Sequence, residues 1–170
     1  IYGHSMGGLI AASYGVSTRP QPDLYVLSAP AIAAEVPLHL RVIAKVGSRL
    51  RPGMYFPNSI KGEQLSRDPA VGEKYFADPL VETRTTARFG AVFIAQMEGI
   101  ADKIGRLVTP TLVVHGAEDE LVLPQASAPL AALPSVERKL FAGLRHEIHN
   151  EPERDDVLGF VAGWLKAQLA

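Results

Sequence analysis

Three residues have the types and the spacing for nucleophilic hydrolysis: Ser5, Asp119 and His146. Ser5 stands in Gly3-His4-Ser5-Met6-Gly7, a Gly-x-Ser-x-Gly pattern that can place a serine on a sharp strand-to-helix turn with its hydroxyl held outward. Such a turn holds the serine in a sparsely populated region of φ/ψ space. The glycines at positions 3 and 7 are expected because a Cβ at either would meet the turned backbone. A serine hydroxyl attacks poorly until a base takes its proton, usually a histidine fixed in one tautomer by a carboxylate.

Two loops can supply those partners. The loop after Thr111–His115 offers Glu118, Asp119 and Glu120. Asp119 is favoured, because the Gly116-Ala117 turn leaves three residues to reach back and Leu121-Val122 anchor the loop behind it; the two glutamates read as solvated neighbours. The loop after Val136–Phe141 offers His146, with His149 as its rival. Of the remaining histidines, His4 is expected to pack behind the turn, His115 to end a buried strand, and His39 to lie in an insertion. Each feature alone has a bland explanation: a capping serine, a capping aspartate, a solvated histidine. Their order, each after its own apolar strand, is what argues for chemistry.

The elements that must position these residues follow from hydrophobic patterning. Gly8–Gly15 is small and apolar, fitting a buried helix packed closely on a sheet. Leu24–Ser28 and Thr111–His115 are short apolar runs of the kind buried on both faces in a parallel sheet. The 82 residues between Ser28 and Thr111 far exceed the dozen or so that a parallel crossover needs, so an inserted helical layer is expected there. Within it, 33–50 reads as one amphipathic helix starting near Pro37, 51–60 as irregular, Asp68-Pro69 as the cap and first turn of a short helix, and 83–99 as a further helix. Gln125–Leu133 reads as a helix, Val136–Phe141 as a more exposed edge strand, and Asp155–Leu169 as a closing helix with Val157, Leu158, Val161, Trp164 and Leu165 on one face. The class is α/β, with residues 1–30 and 107–170 as an incomplete core and 31–106 as a helical cap.

Composition narrows the partners. Of the 170 residues 47% are hydrophobic and 21% charged, and the formal net charge of −1 gives no electrostatic reason to expect nucleic acid. No cysteine is present, so disulfides and thiolate metal sites are excluded. Ile1 and Tyr2 are all that precede the serine turn, which needs a strand in front of it. The chain is therefore expected to be the C-terminal part of a larger fold whose N-terminal strands are absent, and to be poorly soluble or inactive by itself.

Beyond the serine turn, four further stretches matter: Ser66-Arg67-Asp68-Pro69-Ala70-Val71, Asp78-Pro79-Leu80-Val81, Val114-His115-Gly116-Ala117-Glu118-Asp119 and His146-Glu147-Ile148-His149-Asn150-Glu151. With Gly3–Gly8 they make the whole chain resemble the monoacylglycerol lipase family of α/β-hydrolases. The resemblance implies Ser5 as nucleophile, Asp119 as orienting acid, His146 as general base and the Met6 backbone N–H as an oxyanion donor. A second donor would come from a His-Gly loop ahead of the serine turn, a segment this sequence does not contain. It further implies a cap forming an apolar tunnel, for which Met54, Tyr55, Phe56, Phe89 and Phe93 are candidate lining residues; they read equally well as the cap's own core.

The reaction so implied is hydrolysis of monoacylglycerols or similar single-chain lipid esters through an acyl-enzyme, with no cofactor and no metal. A transient contact of the cap with a membrane surface fits it, as does a cytoplasmic or membrane-peripheral location; the oligomeric state is open. The alternatives on the same scaffold are a broader esterase, a lysophospholipase or a C–C hydrolase, or a catalytically silent binding protein.

Overall fold

A computed structural model describes residues 1–33 and 36–170. Its centre is a four-stranded parallel sheet in the order β1 (Tyr2–His4), β2 (Tyr25–Ser28), β5 (Thr111–Gly116), β6 (Val136–Phe141). The two inner strands, β2 and β5, are buried along their whole length, which is why their sequences run apolar without alternation. Tyr25, Leu27 and Val113 pack on one face with Leu9 and Ala12 of α1 (Met6–Gly15) and Met97 and Ile100 of α5 (Ala87–Ala101). Val26, Leu112 and Val114 pack on the other with Val157, Val161 and Trp164 of α6 (Arg154–Leu169). Strand β6 alternates between half-buried and exposed positions from Val136 to Lys139, as an edge strand should, and Leu140 is exposed as well. The apolar stripe of α6 is narrower than the sequence suggested: Val157, Val161 and Trp164 are buried at i, i+4, i+7, while Leu158, about 100° round the helix, is exposed.

The segment from β2 to β5 is mainly helical, with α2 (Leu38–Leu50), α3 (Gly62–Leu65), α4 (Pro69–Ala77) and α5. Residues 34 and 35, at the start of the stretch expected to lead into α2, lie outside the described residues. Asp68 caps α4 as its sequence implies, accepting from Ala70 N at 2.9 Å with Pro69 at the first helical position. Residues 51–60 are not wholly irregular: β3 (Tyr55–Pro57) pairs antiparallel with β4 (Arg84–Thr86). That pairing also delays α5, which begins at Ala87 rather than Thr83, after Thr86 caps it by accepting from Phe89 N at 3.1 Å. The expected helix at 125–133 is instead a run of 3₁₀ turns over Pro124–Ala132 containing Pro129, whose missing N–H and fixed ring oppose a regular α-helix.

Candidate active site

Ser5 sits between β1 and α1 with φ 51° and ψ −116°, a conformation that a non-glycine residue holds only where its surroundings impose it. Its N–H donates to Ser28 O at 2.9 Å, and its carbonyl accepts from Leu9 N at 3.2 Å and Ala31 N at 3.0 Å. The turn is thus pinned to the chain that leaves β2. A Cβ at Gly3 would lie 2.8 Å from the carbonyl carbon of Gly7, so Gly3 is sterically required. Gly7 is not: among the described residues a Cβ there meets nothing within 4 Å, and the close approach falls one residue later, where a Cβ on Gly8 would lie 2.8 Å from Pro30. The expectation of a clash at position 7 is corrected accordingly.

Asp119 follows β5 and is buried, whereas Glu118 and Glu120 are exposed. Its carboxylate has four donors. Oδ1 accepts from Leu121 N at 2.8 Å and Val122 N at 2.9 Å; Oδ2 accepts from His146 Nδ1 at 2.7 Å and His115 Nε2 at 3.1 Å. Burial alone would raise the pKa of this carboxyl, but the hydrogen bonds from His115 and His146 outweigh it and hold the group below the usual carboxylate range. Because Oδ2 of an ionised carboxylate can only accept, His146 carries its proton on Nδ1, leaving Nε2 as the nitrogen that can take a proton from a serine.

Ser5, Met6 and His146 face one cavity of about 1310 Å³. Among the described residues no hydrogen bond joins the Ser5 hydroxyl to the His146 ring; contacts of this kind commonly tighten only around substrate. Met6 occupies the first position of α1, where a backbone N–H has no partner within the helix. The cavity continues under the mainly helical segment between β2 and β5 along Tyr55, Ile60, Phe89, Phe93 and Met97. Of the five candidate lining residues, Tyr55, Phe89 and Phe93 are on the wall, with the rings of Phe89 and Phe93 stacked at 5.9 Å. Met54 and Phe56 are not on it. Side chains alternate across an extended segment, so Tyr55 facing inward turns both of its neighbours outward.

Two histidines differ from their sequence reading. His4 is not behind the turn but on the cavity wall, its ring 4.8 Å from that of His146 and 4.8 Å from that of His149. Burial, reinforced by the neighbouring His146 and His149, lowers its pKa to about 3, so it is neutral at ordinary pH. His115 does more than end a strand. Its Nε2–H lies between two acceptors, Asp119 Oδ2 and Val122 O at 2.8 Å, while Nδ1 meets Ser127 Oγ at 3.0 Å. The usable signal was a polar ring in a run of buried apolar residues, since a buried imidazole needs partners. His149 faces His4, its buried Nδ1 without a hydrogen-bond partner among the described residues, and His39 is exposed on α2. Among the described residues no group of His, Asp or Glu could hold a metal ion.

The sequence profile of the Hydrolase_4 family (serine aminopeptidase, S33) matches residues 1–153. A monoacylglycerol lipase of Mycolicibacterium smegmatis is 36% identical over 99% of this chain, which spans 62% of that relative's length. The crystal structure of a Paleococcus ferrophilus monoacylglycerol lipase superposes with a TM-score of 0.91 at 28% identity, over 98% of this chain and 67% of the other. That of a soluble variant of the Saccharomyces cerevisiae monoglyceride lipase gives 0.83 at 21% identity, over 98% and 61%, a likeness of fold. The fold is that of the α/β-hydrolases, a parallel sheet flanked by helices.

Proposed function

The chain belongs to the Hydrolase_4 family, and from that membership we propose that it carries the reacting residues of a serine hydrolase of carboxylic esters, acting on monoacylglycerols or similar single-chain lipid esters. The observation that carries the proposal is the buried Asp119–His146 pair opening, beside a conformationally strained Ser5, into a cavity with aromatic and aliphatic walls. Ser5 attacks the ester carbonyl while His146 Nε2 takes its proton, and Asp119 stabilises the imidazolium. The Met6 N–H donates to the oxyanion, His146 returns the proton to the leaving alcohol, and water then releases the acyl group. Residues 31–106 act as the cap over a core of 1–30 and 107–170, with Tyr55, Phe89 and Phe93 against the acyl chain.

The cap also supports a contact with a lipid surface. Helix α2 exposes Leu38, Leu40, Val42, Ile43, Val46 and Leu50, and carries Arg41, Lys45 and Arg49 among them. An apolar face interleaved with cations suits a helix lying on an anionic surface.

Labelling with a fluorophosphonate, read by mass spectrometry, tests the chemistry. The purified full-length protein is expected to take one label, on Ser5, and its Ser5→Ala variant none. Hydrolysis should rise from short soluble esters to long-chain monoacylglycerols. A folded protein that stays unlabelled sinks the hydrolase reading; activity confined to short esters sinks the lipid one.

A further inference from the structure

Two sequence stretches take no part in the chemistry above: Ser66-Arg67 in the cap, and Asn150-Glu151 after the histidine loop. The structure joins them. The Glu151 side chain is fully buried. One of its oxygens accepts from Ser66 Oγ at 3.2 Å, Arg67 N at 3.1 Å and Arg67 Nε at 3.2 Å; the other accepts from Arg145 N at 2.7 Å. A buried carboxylate is costly unless so paired. Here the four donors come from two places, the cap and the residue just before His146.

The loop itself is gripped from both sides. Toward the cap, Glu147 N donates to Leu65 O at 2.8 Å, His146 N to Gln64 O at 3.4 Å and Arg145 Nη1 to Ser66 O at 3.3 Å. Toward the sheet, Glu118 N donates to Leu144 O at 2.9 Å, and a Cβ on Gly116 would lie 2.8 Å from the Leu144 carbonyl carbon. The backbone around His146 is therefore set by the end of β5 on one side and by cap residues 64–67 on the other. Glu151 is not part of the cavity wall; whatever it does for the reaction passes through the loop.

We propose that Glu151 is a positioning residue for His146, tying the histidine loop to the cap so that displacement of the cap displaces the base. The proposal rests on the reading of His146 as general base. Glutamine at 151 supplies one oxygen where two are used, so it serves either Arg145 N or the Ser66–Arg67 group, and the other half of the tether opens. Arg67→Lys weakens the tether only on its cap side, at Arg67 Nε, and keeps the carboxylate and its bond from Arg145 N.

The test measures kcat and KM for a short soluble ester and for a long-chain monoacylglycerol, fluorophosphonate labelling, and amide hydrogen exchange at 145–147. For Glu151→Gln, kcat should fall roughly 10²-fold on both esters, the scale of a misplaced catalytic group. KM for the short ester should be unchanged and labelling slowed in step. Arg67→Lys should shift both in the same direction by less, and exchange at 145–147 should quicken in both variants. An unchanged kcat for the short ester, with only the KM of the long one raised, would mean that Glu151 merely shapes the cap, and the proposal falls. Should Glu151→Gln not fold, Arg67→Lys decides by the same criteria. A wild-type protein that takes no label overturns the hydrolase reading instead; the exchange data then still decide the tether, which fails if 145–147 are unaffected by either substitution.

Discussion

The sheet edge that carries Ser5, Asp119 and His146 and the cap that faces it across the cavity are held by different forces. On the sheet side β2 and β5 are wholly buried and the Asp119 carboxylate takes four donors. On the cap side α2 contributes no buried residue, and the ion pairs Arg41–Glu98 and Arg84–Glu82 are solvent-exposed, a kind worth about 0–1 kcal/mol each. The division suits the two tasks. On the proposed reading, reacting groups gain from being held in one geometry before substrate arrives, whereas a wall proposed to admit an acyl chain gains from being the part of the molecule that opens at least cost.

The sharpest way to break that contrast is to exchange one atom on the rigid side. Asp119→Asn keeps the shape but replaces an acceptor by an N–H₂ group, so His146 loses either its tautomer or its hold. A fall in kcat of roughly 10⁴-fold is expected, by analogy with the same change in other serine triads. Glu120→Gln, on the same loop and facing the same cavity but exposed, should leave kcat within about a factor of two, as surface changes away from fixed features do. Equal losses in the two variants, measured on one soluble ester, would show that the loop is not divided in this way.

The second contrast is in stability. Leu112 is fully buried between the sheet and α6, while Leu50 at the end of α2 is 77% exposed. Leu112→Ala should cost about 2–5 kcal/mol in denaturant unfolding, from lost burial and the cavity left behind. Leu50→Ser should stay within about 0.5 kcal/mol and yet lower sedimentation with anionic vesicles, if α2 meets the lipid surface. A destabilisation at Leu50 comparable to that at Leu112 would mean that α2 is packed in solution against something, and the cap would no longer count as the loosely held region.

What could be read from the sequence tracks the same division. The inner strands were legible because two-sided burial writes itself as a short apolar run, Leu24–Ser28 and Thr111–His115. The placement of Asp119 followed from Thr111–His115, and that of His146 from the edge strand Val136–Phe141. The Asp68-Pro69 cap was legible because its hydrogen bond is local. What stayed hidden was decided at long range. Three-residue strands such as Tyr55–Pro57 and Arg84–Thr86 have too little pattern to announce their pairing across the cap. The Gly-x-Ser-x-Gly pattern marks a turn without saying that Pro30 makes Gly8, rather than Gly7, the second obligatory glycine. The four donors to Glu151 come partly from residues more than 80 positions earlier, which no local reading supplies.

The mildest test uses acid. His4 and Asp119 both lie on the rigid side, and both have lowered pKa values, but they act in different pH windows. Asp119, a carboxyl depressed in the fold, contributes stability that is complete above its unfolded value and is lost only as pH falls below the usual carboxylate range. His4 is also depressed, from 6.5 to about 3, so below pH 6.5 the unfolded chain binds a proton that the folded one refuses. Stability must therefore fall as pH drops through 6 and 5, by about 1.4 kcal/mol per unit once the unfolded histidine is fully protonated. His149, lowered chiefly by its own burial, adds to the slope. His4→Gln keeps a polar side chain able to meet Ser28 Oγ, which lies 3.1 Å from His4 Nδ1, but removes the titration. Between pH 6 and 4 its stability curve should run flatter than that of the wild type by close to one proton, while the two curves lie parallel above pH 7. Identical slopes would mean that His4, half-buried on the cavity wall, meets enough water to protonate in the folded state.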